Sequence, residues 1–298
     1  MKLKKSICAA VLAAMLCTTS VVSVSADSIY YADSCYYTYI NNDKVALKGW
    51  ENEASTVVKP PERLNGRAVA SVANRAFYSD STITGIDFSD ATLLESIGMY
   101  AFANCSSLTE PIVLPESITE IGDCAFEASS VSEVVINASL EYIPIQCFYR
   151  CESLTDVTID GPQEIDSYAF ARCTNLSSVR IMDSVTAIHD TSFDNDPNLT
   201  IYCYDSSYAH TFAISKGIPY ILLDSVLLGD ANGDGYVNIS DVTDIQRAVA
   251  EMDSLDDLRK KAADINGDGF VTIDDATFLQ TYLAEFETAY PIGEVTAQ

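Results

Sequence analysis

"SITEIGDCAFEASSVSEVVI", residues 117–136, places Ile121 five positions before Phe126 and then runs through a short apolar–polar alternation that ends at Ile136. The phrase recurs along the chain. "SVANRAF" ends at Phe77, "SIGMYAF" at Phe102, "YIPIQCF" at Phe148, "EIDSYAF" at Phe170 and "AIHDTSF" at Phe193, so successive phenylalanines stand 25, 24, 22, 22 and 23 residues apart. Every copy carries a β-branched residue five positions before its Phe: Val72, Ile97, Ile121, Ile143, Ile165 and Ile188. Five copies carry an apolar residue six positions after it, at Ile83, Leu108, Leu154, Leu176 and Leu199; in the third copy, Val131 comes one position early. Self-similarity at this period marks a solenoid in which each repeat is one supersecondary unit.

No single repeat can bury its apolar face, but stacking gives each Phe, Ile and Leu a neighbour above and below. Short strands are predicted at "ITGIDF", "VSEVVI", "LTDVTI" and "LSSVRI". In the third of these the period of two turns Leu154, Val157 and Ile159 inward and leaves Asp156 and Thr158 outside. Cys105, Cys151 and Cys173, each three positions after a Phe, would form a column inside the stack. With their "I-G-x-x-A-F-x-x-C-x-x-L" pattern, these residues resemble the BspA-like bacterial surface leucine-rich repeats, over roughly residues 36–223. The resemblance implies an α+β leucine-rich-repeat solenoid of short strands, loops and short helices. It also implies an N-terminal hairpin cap and a C-terminal cap with a helix around 206–216 and a closing strand. Caps are required because an end repeat would otherwise leave apolar surface and a strand edge in water.

The first 26 residues read as a secretory signal peptide. Lys2, Lys4 and Lys5 precede the apolar run Ile7–Leu16, and Val24-Ser25-Ala26 forms a small-residue cleavage site. The run is too short to span a bilayer stably, and no other reaches 18 apolar residues, so the expectation is an exported, extracellular chain without a membrane span. The formal net charge of −26 deepens by three when that segment leaves, and such a surface repels phosphate backbones and excludes nucleic acid as a natural partner. Seven cysteines remain after it, an odd number in repeat phase rather than in a C-x-x-C arrangement, and most of them are expected to be buried apolar residues. Chemistry in the solenoid is not expected. His189 and His210 read as surface histidines outside any metal spacing, and the acidic residues scatter along a regular face. The largest departure from the period, "TEP" at 109–111, is expected to build no pocket. Outward strand positions (Asp87, Val135, Thr158, Arg180) are mixed, with no aromatic row for stacking on sugars.

The last quarter of the chain is different. "DANGDGYVNISD" begins at Asp230 and "DINGDGFVTIDD" at Asp264, 34 residues on. Oxygen ligands fall on Asp230, Asn232, Asp234, Asn238 and Asp241 with the Tyr236 carbonyl between, and on Asp264, Asn266, Asp268, Thr272 and Asp275 with the Phe270 carbonyl. Gly235 and Gly269 sit where the loop must turn sharply. This spacing wraps a hard cation of calcium size, so two Ca²⁺ ions are expected. Three carboxylates per loop repel one another, and the ion should be needed for the segment to fold. Val242, Ile245, Val249 and Met252 follow the first loop at helical spacing, and Ala276, Leu279, Leu283 and Phe286 follow the second. "DSLDDLRKKAA" could add one helix between them, and the "DSVLLG" before Asp230 is too short for an entering helix. Leu227 and Leu228 could pack on Tyr290-Pro291-Ile292 as a terminal clasp.

A loop followed by an exiting helix, twice, resembles the type I dockerin of bacterial cellulosomes, over roughly residues 228–288. The final Asp of each loop, a departure from the usual EF-hand Glu, is normal in that family. The resemblance implies an all-α tandem calcium-loop domain over 225–298, following the signal peptide at 1–26 and the capped solenoid at 27–224. It implies docking onto the cohesin module of a scaffoldin through Ile239, Ser240, Gln246, Arg247 and Glu251, or through Ile273, Asp274, Gln280, Thr281 and Glu285. Ser240 against Asp274 and Arg247 against Thr281 break the symmetry of the two faces, so one face is expected to dominate. The expected function is that of a secreted, non-enzymatic component of a cell-surface cellulosome-like complex in polysaccharide degradation, its repeats offering a protein- or glycan-binding surface to a ligand the residues do not name. A glycoside hydrolase carried by the dockerin, and a protease-inhibiting or adhesive module, are the competing readings.

Overall fold

A computed structural model describes residues 28–50, 55–223, 225–285 and 289–297. The predicted signal peptide and Phe286 lie outside the described residues. The chain opens on an antiparallel meander, Tyr30–Ala32, Cys35–Tyr39 and Lys44–Trp50. Tyr30 sits 5.7 Å from Tyr37 and 4.7 Å from Tyr39, forming an aromatic plug on the first coil. Lys44–Trp50 then pairs in parallel with Arg67–Val72, and the chain begins to coil.

Each coil contributes to two sheet faces. On one, Ile112–Leu114, Glu133–Ile136, Asp156–Ile159, Ser178–Ile181, Thr200–Cys203 and Tyr220–Leu222 form one parallel sheet in chain order. As the alternation requires, Leu154, Val157 and Ile159 are buried, Asp156 is exposed and Thr158 is half-buried. On the other, two-residue strands end on the residues five before each Phe. Ser96–Ile97 and Glu120–Ile121 extend the sheet of Arg67–Val72, while Tyr142–Ile143, Glu164–Ile165 and Ala187–Ile188 form a separate one. The six anchor phenylalanines stack face to face through the core, with successive centroids 5.0, 5.2, 5.1, 5.2 and 5.4 Å apart and planes within 12° of parallel.

The outer turn of each coil is built without glycine. Residues two after every anchor Phe (Ser79, Asn104, Ala128, Arg150, Arg172, Asn195) and two before five of them (Arg75, Tyr100, Cys124, Gln146, Tyr168) have φ between 52° and 65°. Left-handed backbone costs an L-residue on the order of 1 kcal/mol. It persists because successive coils bond to one another there: Phe102 N–H donates to Ala125 O at 2.7 Å, Phe126 N–H to Cys147 O at 2.8 Å and Phe148 N–H to Ala169 O at 2.7 Å, with Asn104, Ala128 and Arg150 repeating the pattern two residues on. All seven described cysteines are buried. The thiols of Cys105, Cys151 and Cys173 donate to the carbonyls of Phe77, Phe126 and Phe148 one coil back, each at 3.1 Å, so the expected column has a hydrogen-bonding role as well as a packing one.

The C-terminal cap is α1, Tyr208–Lys216, capped by Ser207 at its start and by left-handed Gly217 at its end. Its Phe212 sits 6.1 Å from Phe193 but tilted by 59°, which ends the parallel stack. His210 is half-buried rather than on the open surface, with Nδ1 3.1 Å from Asp205 and its ring 4.6 Å from Tyr220. The six-stranded sheet stops short at the other end: Val57–Val58 and Gly85–Ile86 form an isolated parallel pair that does not join Ile112–Leu114. The expectation that "TEP" builds no pocket is therefore incorrect. Its extra residue and Pro111, which has no N–H to give a ladder, split the sheet and leave an open cleft.

From residue 225 a second, smaller core forms, built on Leu228, Val242, Ile245, Ala276, Leu279 and Ile292. It holds α2, Ile239–Val249, α3, Asp257–Ala263, and α4, Ile273–Leu283. A short antiparallel pair, Ser225–Leu227 with Val295–Ala297, joins the two ends, and Gly293 N–H donates to Leu228 O at 2.8 Å, so the clasp is a backbone ladder as well as a packing contact. Met252 does not lie on the helix face predicted for it. α2 stops at Val249, Glu251 turns left-handed at φ 56°, and Met252 is 72% exposed.

Candidate calcium-loop docking site

The two acidic twelve-mers fold alike. In the first, Asp230 Oδ1 accepts from Gly233 N–H at 2.9 Å and Asp234 N–H at 3.0 Å, while Oδ2 accepts from Gly235 N–H at 2.8 Å. In the second, Asp264 accepts from Asp268 N–H at 3.1 Å and Gly269 N–H at 2.8 Å. Gly235 and Gly269 carry φ of 86° and 88°, a conformation that an added Cβ would strain, as the sharp turn predicted for them demands. Each loop then closes into a helix through a capping box. Asn238 Oδ1 accepts from Ser240 N–H, and Asp241 Oδ2 accepts from Asn238 N–H at 2.8 Å; Thr272 and Asp275 repeat the arrangement at α4.

Electrostatics set these loops apart from the rest of the surface. Asp241 and Asp275 are fully buried and Asp230 and Asp264 nearly so, and the donors described for them are backbone N–H groups and the Thr272 hydroxyl. Burial pushes the Asp241 carboxyl above its ordinary value, and the charges of Asp230 and Asp234 push it the same way, while the Asn238 and Asn232 amides hold it down. Buried carboxylates without compensating positive charge carry a desolvation penalty that a bound cation removes. Among the described residues no group of three or more His, Cys, Asp and Glu is placed to hold a metal ion as it stands. Within each loop the carboxylates face the amides, and Asn232 and Asn266 donate to Asp234 and Asp268 at 3.1 and 3.0 Å. The donor chemistry nevertheless fits a hard cation, because the expected set completes its oxygens with Asn, Thr and backbone carbonyl groups.

Of the ten residues expected to meet a partner, nine are exposed and Thr281 is half-buried. Ile239 and Ser240 stand on the first turn of α2, and Gln246 and Arg247 on its last turns, where Arg247 lies 3.4 Å from Asp253. Ile273 and Asp274 open α4, and Gln280 and Thr281 close it, the Thr281 hydroxyl donating to Thr277 O at 2.8 Å. Glu251 and Glu285 fall past the helix ends on matching left-handed turns, at φ 56° and 63°. Sequence reasoning gave Tyr236 and Phe270 only a carbonyl role, yet they are 73% and 71% exposed, three positions before the exposed Ile239 and Ile273. The signal was present: a large aromatic residue in an acidic loop has no core to enter.

Comparison with known proteins finds two matched stretches. Residues 70–200 match the BspA type leucine rich repeat region in 6 copies, and residues 228–284 match the dockerin type I domain. Among curated proteins none matches the chain significantly. Of solved structures, the chain is similar to a T. pallidum leucine rich repeat protein at 19% identity, over 59% of this chain and 71% of that one, with a TM-score of 0.36. It is similar to a leucine rich cell surface protein from Faecalibacterium prausnitzii at 15% identity, over 64% and 98%, with a TM-score of 0.24. A leucine-rich repeat protein from Bacteroides capillosus aligns at 18% identity, over 52% and 99%, with a TM-score of 0.31. Both matched modules are non-catalytic, and type I dockerins are calcium-binding modules that dock onto cohesins. With its coiled core and its paired acidic loops, the chain carries a BspA-type leucine-rich repeat region over residues 70–200 and a type I dockerin domain over residues 228–284.

Proposed function

We propose that this chain is a secreted, non-catalytic component of a cellulosome-like assembly, held by its dockerin on a scaffoldin cohesin while its repeats bind a ligand. The observation that carries the reading is the duplicated site itself: two loop-and-helix units, 34 residues apart, with matching cap geometry and matching exposed residues. Asp230, Asn232, Asp234, Asn238, Asp241 and the Tyr236 carbonyl would hold one Ca²⁺, and Asp264, Asn266, Asp268, Thr272, Asp275 and the Phe270 carbonyl a second. Each ion supplies the positive charge that the buried carboxylates lack. The chain's own contribution is positional. Asn238 with Asp241, and Thr272 with Asp275, fix the first turns of α2 and α4, on which Ile239, Ser240, Ile273 and Asp274 are displayed. The domains proposed are 1–26 for export, 27–224 for the capped solenoid and 225–298 for docking. Export rests on the basic and apolar leader, and the expected setting is an extracellular complex engaged in polysaccharide breakdown. No helix among the described residues is long and apolar enough to cross a membrane.

The test is capture of the full chain on immobilised cohesin, with calcium and with chelator. Capture should disappear with chelator and return when calcium is added, and calorimetric titration should count two ions. Calcium-independent capture would refute the reading. Arg247→Ala and Thr281→Ala, measured separately, should weaken cohesin binding unequally, because one face dominates; equal losses would overturn that point.

A further inference from the structure

The cleft at the split in the sheet has the features of a peptide site. Among the described residues Gly85–Ile86 is paired on one edge only, with Val57–Val58, and Ile112–Leu114 on one edge only, with Glu133–Ile136. At their starts the two segments are still joined, the Thr109 and Glu110 N–H groups both donating to Thr84 O at 3.0 and 3.1 Å. Beyond Pro111 they part. Ile112 stands four positions after Leu108, where Val157 follows Leu154 and Val179 follows Leu176 by three. The result is a cavity of about 960 Å³ whose walls include Ile86 and Phe88 on one side and Pro111, Val113 and Pro115 on the other. Val113 is 54% exposed at its rim. A strand edge without a paired strand is a template for another strand, and here two such edges border one opening.

Charge selects among strands. Lys59 lines the cleft but is bonded to Asp87 at 2.6 Å, which neutralises it. Glu110 and Glu116, both exposed, then set the sign of the opening. The Glu110 carboxylate lies directly over Gly85, where a Cβ would collide with it, so this charge sits within the gap. The outward row of the adjoining strands continues the acidity through Glu133 and Asp156, which are register partners. A sugar would need an aromatic platform, and Phe88, the aromatic ring in the cleft wall, is buried.

We propose that this cleft takes an extended basic peptide, which adds as a strand to the split sheet and places Lys or Arg side chains on Glu110 and Glu116. The proposal deepens the reading of the repeats as a binding surface and is independent of cohesin docking. The probe is a fluorescein-labelled Val-Lys-Val-Lys-Val-Lys peptide, titrated into the full chain by fluorescence polarisation. Its controls are Val-Glu-Val-Glu-Val-Glu and the lysine peptide with alternate backbone amides methylated. The lysine peptide should bind with an affinity that falls as salt rises, and the other two at least about tenfold more weakly. Glu110→Lys with Glu116→Lys should reverse the preference between the lysine and glutamate peptides. Deletion of Pro111, which restores the spacing of three and lets the sheet close, should abolish binding with either charge.

No binding of the lysine peptide, or equal binding of its methylated form, overturns the proposal. So does a preference that survives the charge reversal, and so does a concentration-dependent dimer that the reversal dissolves. Cellohexaose is run in parallel. Its binding, unchanged by the double substitution, would overturn the cleft while leaving the repeats a binding surface. Cohesin capture on the same sample reads the docking reading separately.

Discussion

Replacing Phe148 by Ala should reveal whether the aromatic stack is the spine of the solenoid. Phe148 is fully buried, with Phe126 at 5.1 Å on one side and Phe170 at 5.2 Å on the other, both within 5° of parallel. Truncating a buried Phe costs about 3–5 kcal/mol through lost transfer energy and the cavity left behind. A ring with two stacking partners should lie in the upper half of that range, since each stack adds about 0.5–1.5 kcal/mol beyond area burial. Phe77, equally shielded but stacked on Phe102 alone in the ladder, should cost about 1 kcal/mol less. The sharper measurement is a double-mutant cycle. Phe126→Ala and Phe148→Ala remove a shared contact and should couple by about 1 kcal/mol, whereas Phe77→Ala and Phe148→Ala should add to within about 0.5 kcal/mol. Guanidinium unfolding followed by circular dichroism, at fixed calcium so that the C-terminal region contributes equally, reads the four states of each cycle. If adjacent and separated pairs couple equally, or if Phe148→Ala costs less than about 1.5 kcal/mol, the nearest-neighbour account of this core is wrong.

Two further predictions concern single positions in the coils. Asp196 stands three after Phe193, the slot that Cys105, Cys151 and Cys173 fill elsewhere, and neither of its carboxylate oxygens has a hydrogen-bond partner of good geometry. Burial pushes its pKa up to about 8, with the Asp194 charge acting the same way and the Cys173 backbone N–H opposing. A carboxyl whose folded pKa is raised is penalised by ionisation, so wild-type stability should fall as pH rises from about 4 to about 8. Asp196→Asn should therefore be more stable than wild type by roughly 1–3 kcal/mol at pH 8, discounted for partial exposure, with the gap closing below about pH 4. Denaturant midpoints at the two pH values test this, and a gap that does not depend on pH refutes it. Gly122 presents the opposite problem. A Cβ there would meet the Met99 backbone, with Cα at 2.8 Å, although Pro144, Asp166 and His189 occupy the same slot in later coils. Gly122→Ala should cost about 2–3 kcal/mol and lower Tm by roughly 4–12 °C, and an unchanged melt would show that the coils can spread there.

Much of this architecture was legible in the residues because its causes are local. The spacing of Phe102, Phe126 and Phe148 sets a coil length, and equal coils bring equal residues into register. The acidic loops were legible for a similar reason, since Asp230 to Asp241 act within twelve consecutive positions. The rest depended on contacts across coils. Nothing in Arg75, Tyr100 or Gln146 announces a left-handed backbone, because that conformation is imposed by bonds to the next coil. Met252 continues the helical spacing, yet the turn at Glu251 precedes it and leaves it in solvent. The two-residue strands at Ile97, Ile121 and their equivalents are too short to carry an alternation and exist only because neighbours pair with them.

By itself the sequence determined the repeat, its period, which side chains face the core and which oxygens the two acidic loops could offer a cation, because period and ligand spacing are properties of neighbouring positions. Tertiary structure alone decided where the coils part. One additional residue and Pro111 read as a trivial irregularity in one dimension. In three dimensions they separate two strands that the period would have paired, and open the cleft above Gly85. The residue lost before Val131 is taken up in the turn, and Glu133–Ile136 stays in register with both neighbours, whereas a residue added between Leu108 and Ile112 falls where the strand itself should pair.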